Sequence, residues 1–140
     1  MSSLTNLERI QPEAPNNWRT PTRIFGPETD NSWCYFYEKA DMARQLKDWK
    51  KAAALGEEAL QGNFSPLSPG SNAPHEWLPF IEAFARLGFW DKAAGLSTEA
   101  GQMGPEHHKI LWQLWERLQS STPASPEKTK AFQKLQFLQN

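Results

Sequence analysis

The stretch Trp33–Leu60, WCYFYEKADMARQLKDWKKAAALGEEAL, decides the fold. In it Trp33, Phe36, Tyr37, Ala40, Ala43 and Leu46 fall at offsets of 0, 3, 4, 7, 10 and 13, which is one face of a 3.6-residue helix. Glu38, Lys39, Asp41, Arg44 and Gln45 lie between them and are expected to face water or a ligand. After a polar break at Lys47-Asp48, a second stripe runs through Trp49, Ala52, Ala53, Gly56, Ala59 and Leu60, with Lys50, Lys51, Glu57 and Glu58 opposite. The spacing predicts two amphipathic helices folded back on each other. The small residues of the second helix let its backbone approach the bulky first helix closely. Gly56 inside a helix costs about 1 kcal/mol against Ala, so close packing is the expected reason for its presence.

Residues 76–100, EWLPFIEAFARLGFWDKAAGLSTEA, repeat the plan. Trp77, Phe80, Ile81, Phe84, Ala85 and Leu87 form a first stripe, Gly88 opens a turn, and Trp90, Ala93, Ala94, Ser97 and Ala100 form a second. Aligning KDWKKAAALGEEAL with GFWDKAAGLSTEAG places Trp49 on Trp90, Ala52 on Ala93 and Ala59 on Ala100, an offset of 41 residues. The offset exceeds the roughly 34 residues of a tetratricopeptide repeat by about the length of the Ser/Pro/Gly stretch between the copies.

Both copies resemble tetratricopeptide repeats, with a small residue, an aromatic at the turn, and then alanines seven apart. Ala40, Trp49, Ala52 and Ala59 stand at signature positions in the first copy, and Ile81, Gly88, Trp90, Ala93 and Ala100 in the second. The leading Trp-Leu-Gly-Tyr pattern is largely absent, and the inter-repeat proline is displaced to Pro66 and Pro105. The resemblance covers about residues 32–120. It implies an all-α fold: antiparallel helical hairpins stacked as a short solenoid of about five or six helices. Its divisions would be repeat one over 32–62, repeat two over 75–101, a half-repeat over 105–120 and a capping helix over 125–139. The pair IFGPETDNSWCYFYEKADMARQ and EWLPFIEAFARLGFWDKA also resembles the soluble C-terminal tails of bacterial multi-pass membrane proteins of the glycosyltransferase type. That resemblance implies a soluble appendage, tethered to a membrane through a missing N-terminal region, with Met1 a boundary rather than a natural start.

The totals bound the function. At 140 residues the chain fits one domain. The net charge of −1 makes no electrostatic case for nucleic acid or an anionic membrane. Cys34 is the only cysteine, which excludes an internal disulfide and a cysteine-based zinc site. No apolar run approaches the roughly 20 residues of a membrane span, and the N-terminus lacks a signal-peptide pattern. Seven Trp, eight Phe and two Tyr are many for this length, and are expected mostly in the core, with any surplus lining a groove.

Residues 1–31 hold Pro12, Pro15, Pro21 and Pro27 and little periodicity. They read as an extended leader, docked in part through Trp18, Ile24 and Phe25, or else disordered. Asp30, Asn31 and Ser32 are competent N-caps for the first helix. Gln61 to Ala73 reads as a flexible spacer. Pro79 is tolerable only in a first helical turn, so a helix starts near His75–Leu78. Pro105 precedes a stripe of Ile110, Leu111, Leu114, Trp115 and Leu118. Ser125-Pro126-Glu127 starts a last helix with Phe132, Leu135 and Leu138 on its apolar face, expected to cap the open end of the stack.

No constellation points to catalysis. His107 and His108 are adjacent, so they point about 100° apart and do not chelate one metal; a solvent-facing helix start is expected for them. GxGxxG, GxxxxGK[ST] and GxSxG are absent, so no cofactor is expected. The carboxylates pair with bases at helical spacing, as in Glu82 with Arg86, giving a few tenths of a kcal/mol each of surface support. The expectation is a non-catalytic protein-interaction or assembly module. The tetratricopeptide resemblance implies a groove lined by the first helix of each pair. Carried over, its residues are Tyr37, Asp41, Arg44 and Gln45 in the first copy, Leu78, Glu82 and Arg86 in the second, and Trp112 and Glu116 in the half-repeat. Two arginines, several carboxylates and an aromatic suit a peptide of mixed charge with an apolar anchor. Two alternatives stand beside it: a homo-oligomerisation module with an aromatic dimer face, and a carbohydrate-binding accessory domain whose tryptophans stack on sugars.

Overall fold

The computed structural model describes residues 32–64 and 74–139. The leader expected over residues 1–31 and most of the spacer, residues 65–73, lie outside the described residues. Among the described residues there are six α-helices and no strand. They are α1 Trp33–Gln45, α2 Trp49–Gln61, α3 Leu78–Arg86, α4 Trp90–Gln102, α5 Glu106–Ser121 and α6 Pro126–Lys134, with 3-10 turns at Pro74–Trp77 and Gln136–Gln139. The all-α stack of sequential hairpins is therefore the fold.

Local chemistry sets the boundaries. Ser32 caps α1, its hydroxyl accepting from Tyr35 N–H at 3.2 Å. Asp48 caps α2 through Lys51 N–H at 3.1 Å, and Ser125 caps α6 through Lys128 N–H at 3.1 Å, each occupying an otherwise orphaned donor. Pro79 sits in the first turn of α3, where its missing N–H has no intrahelical partner to lose. The helices α1, α2 and α3 end in the same turn. In each a residue at positive φ follows the last turn: Lys47 at 58°, Asn63 at 58° and Gly88 at 88°. The next residue then donates to a carbonyl five back: Asp48 to Ala43, Phe64 to Ala59 and Phe89 to Phe84, at 2.8–2.9 Å. This is the Schellman closure. Only its third instance carries the glycine that announces it.

Helices α1 and α2, α2 and α3, and α3 and α4 pack in succession, while α1 also lies beside α3 and α3 beside α5. Trp33 tilts against Phe80 at 5.0 Å and Trp77 at 6.0 Å between ring centroids, joining the first turn of α1 to the start of α3. Gly56 fits the packing rationale, but its partner differs from the one expected. Its nearest neighbours belong to α3 of the next hairpin. A Cβ there would sit 2.9 Å from Phe80 Cδ1 and 3.3 Å from the Phe84 ring. One period later Ser97 holds the same place and faces Trp115 of α5. Its hydroxyl accepts from Trp115 Nε1 at 2.9 Å and donates to Ala93 C=O at 2.8 Å, so the buried polar atoms are satisfied.

The C-terminal helix α6 packs mainly on α4, with Phe132 edge-on to Trp115 at 5.0 Å. Its buried Lys128 donates to the C=O groups of Gln119 and Thr122 at the end of α5, both at 2.9 Å, and its ammonium lies 5.8 Å from the Trp90 ring. A cation at that position complements the negative end of the α5 dipole. The tail Gln136–Gln139 lies against α5, and Gly101 lets Phe137 and Leu138 come close. Two sequence expectations fail here. Leu46, assigned to the apolar stripe, is 75% exposed, because α1 has ended by Gln45 and Lys47 turns the chain away. The histidines do not face solvent: His107 is buried, and the half-buried His108 ring shares a 2.9 Å hydrogen bond with Gly101 C=O. His108 lies edge-on to Phe137 of the tail at 5.6 Å, and His107 shares the inward face of α5 with Leu111 and Leu114.

Two glycines test this packing. Gly56→Val is expected to lower unfolding free energy by about 1–3 kcal/mol through overpacking. Gly95, exposed on α4 with nothing within 4 Å of its would-be Cβ, is expected to gain up to about 1 kcal/mol as Gly95→Ala. Urea unfolding measures both, and a Gly56→Val variant as stable as the parent would refute the close α2–α3 contact.

Candidate functional site

Tyr37, Asp41, Arg44 and Gln45 recur at helical spacing on one side of α1. Leu78, Glu82 and Arg86 recur every four residues along α3, so they share a face. Because α1 lies beside α3, the two rows meet. Arg44 binds Asp41 through Nη2 at 2.7 Å and Nε at 2.9 Å, and Gln45 Nε2 donates to the other Asp41 oxygen at 2.9 Å. Arg44 Nη1 lies 3.9 Å from Glu82 Oε2, which links the helices. Arg86 Nε donates to Glu82 Oε1 at 3.1 Å, and the Arg86 guanidinium lies 4.9 Å from the Trp49 ring centroid. The result is a continuous chain of Gln45, Asp41, Arg44, Glu82, Arg86 and Trp49 across three helices.

Glu82 is its centre and is only 5% exposed. Surface support at (i, i+4) spacing is therefore too weak a description of the Glu82–Arg86 pair. Carboxylates are rarely buried without partners, and here two guanidiniums supply them. Tyr37 stands at the edge of the cluster, half-buried and edge-on to His75 at 5.7 Å. Burial first, then the negative charges of Asp41 and Glu76, push its phenol above the ordinary value of 10.0, with Arg44 acting in the opposite direction.

The remaining expected residues divide. Leu78 and Glu116 border an open depression of about 590 Å³ between α3 and α5, together with Ile110, Gln113, Leu114, Arg117 and Ser120. Trp112 is on the other flank of α5. Its Nε1 donates to Glu116 at 3.0 Å, and its ring is edge-on to Phe132 of α6 at 6.5 Å. Residue 112 lies about 100° beyond Leu111, on the side away from Ile110, so it turns to α6 and not to the Leu78 row. Sequence reasoning missed Trp49 as a site residue, because it fell in the apolar stripe of α2. It is half-buried, and no local signal singles it out, since Trp33 and Trp90 also follow a helix cap directly and are buried. Of the six described tryptophans, Trp33, Trp77, Trp90 and Trp115 are buried, and Trp49 and Trp112 half-buried. The aromatic surplus thus went largely to the core.

Among the described residues no three His, Cys, Asp or Glu side chains are grouped to hold a metal ion, and no helix is long and apolar enough to cross a membrane. The chain matches no protein-family model, no curated protein and no solved structure.

The raised Tyr37 pKa has a sign that can be measured. The folded state keeps this proton where the unfolded chain has lost it, so the contribution is full below the unfolded value and is lost as pH rises through the folded one. In a Tyr35→Phe variant, which leaves Tyr37 as the only tyrosine, the phenolate absorbance is expected to rise with a midpoint above 10.0. A midpoint at or below that value would show that the phenol is neither buried nor beside the carboxylates.

Proposed function

We propose that this chain is a non-catalytic protein-interaction module that binds an extended peptide segment along the face shared by α1 and α3. The single observation behind the reading is the cluster itself. Two helices from different hairpins present a row of ion pairs, partly exposed at Asp41, Arg44 and Arg86 and buried at Glu82, with Tyr37 and Trp49 beside it and the Leu78–Glu116 depression continuing it. Ion pairs of this kind fix register and reject wrong partners, and the aromatic and apolar margins supply anchoring area. No cofactor or nucleic acid enters the proposal. The finer identity, a tetratricopeptide-like module carried as a soluble appendage of a larger bacterial membrane protein, rests on the sequence resemblance alone. An upstream reading frame encoding repeated apolar spans would support it.

The experiment is selection of random peptides against the protein, followed by affinity measurement on an Arg44→Gln/Arg86→Gln variant of intact helicity. A change of about tenfold or more in affinity is the expected result. Unchanged binding to the double variant would remove the α1–α3 face from consideration.

One observation favours a second reading, self-association. Met42 near the end of α1 and Leu46 just beyond it are 60% and 75% exposed. If this pair makes a dimer face, light scattering should show mass rising with concentration, and Met42→Ser/Leu46→Ser should abolish the rise. A constant monomer mass at all concentrations would discard this reading.

A further inference from the structure

Glu82 holds one oxygen in a bond and leaves the other without one. Oε1 accepts from Arg86 Nε at 3.1 Å. Oε2 is buried and, among the described residues, accepts no hydrogen bond. Its nearest cation, Arg44 Nη1, is 3.9 Å away, beyond hydrogen-bond reach. Arg44 is not free to close that gap while Nε and Nη2 both grip Asp41. A buried carboxylate oxygen in this state demands a donor.

The chemistry of that donor is constrained by its surroundings. Arg44 is paired with Asp41 and Arg86 with Glu82, so the two guanidiniums are balanced by carboxylates, and an anion at Oε2 would meet Glu82 itself. A cationic donor is favoured instead. The oxygen is buried, so the donor must arrive on a long stem whose methylenes can lie along apolar neighbours, and Tyr37 and Leu78 stand one turn before Asp41 and Glu82 on their helices. An arginine fork seeks both oxygens of a carboxylate, but Oε1 is already taken by Arg86. A lysine ammonium is a point charge that satisfies one oxygen.

We propose that Glu82 Oε2 anchors a lysine side chain of the bound peptide. This rests on the reading of the α1–α3 face as a peptide site and names the residue that the site selects. The ammonium would take Oε2 as acceptor, the lysine stem would pass between Tyr37 and Leu78, and Arg86 would remain on Oε1 over Trp49. Glu82 thus serves as the specificity-determining residue, and Arg44 as the group that holds Asp41 back from competing for the lysine.

The test starts from a displayed library of random peptides selected on the whole protein, with matched synthetic peptides carrying lysine or norleucine at the shared position. The expected result is a common lysine, a loss of about tenfold or more on its replacement by norleucine, and the same loss for the lysine peptide on Glu82→Gln. The norleucine peptide should bind the parent and Glu82→Gln alike, so that the two losses are not additive. If Glu82→Gln does not fold, the lysine-to-norleucine comparison on the parent decides alone. Peptides that shift the amide resonances of Tyr37, Gln45 and Arg86 but share no lysine, or tolerate norleucine, overturn the lysine anchor and leave the peptide site standing; a bound water would then satisfy Oε2. Peptides that leave those resonances unmoved overturn both.

Discussion

The structure depends on how closely α2 can approach α3. Gly56 offers no side chain at the crossing, and the rings of Phe80 and Phe84 fill the space that a Cβ would need. That contact does more than bury area. It fixes the second hairpin against the first, and because α1 is bound to α2, it also fixes α1 beside α3. The Trp33 rings against Trp77 and Phe80 close the same junction from the other side. The helical cost of Gly56 is offset by aromatic surface that no larger residue would allow there.

The second junction solves the same problem with different residues. Ser97 stands where Gly56 stands in the first unit, and α5 brings Trp115 instead of two phenylalanines. An indole carries an N–H, so the small residue must be an acceptor as well as small, and the serine hydroxyl passes the bond on to Ala93 C=O. The pattern changes again at the C-terminus. There α6 turns onto α4, Lys128 closes the end of α5, and the tail lays Phe137 against His108. The stack is thus ended by covering its last helices, not by adding another equal layer.

The ionic row across α1 and α3 follows from the first junction. Arg44 and Glu82 are 38 positions apart in the chain and meet only because the helices that carry them are neighbours. Within each helix the pairs Asp41–Arg44 and Glu82–Arg86 are ordinary helical neighbours. Joined across the seam, with Glu82 buried, they become a device with an unmet hydrogen bond at its centre. The stack of Arg86 on Trp49 brings in a third helix, and it keeps that guanidinium on Oε1 and away from Oε2.

Much of this was legible in the residues. Apolar stripes at 3.6-residue spacing marked the helices, the 41-residue offset marked the second unit, and Ser32, Pro79 and Ser125 marked the starts. These are local signals, set by backbone sterics and capping, and a chain announces them without knowing its fold. The candidate row on α1 and α3 was legible as two separate rows. What the sequence could not contain was distance between elements: which helix Gly56 admits, which flank of α5 Trp112 takes, and that Leu46 would be left in water while His107 was covered. Those depend on how layers pack after they form, and the burial of Glu82, which gives the face its chemistry, exists only once α1 and α3 lie together.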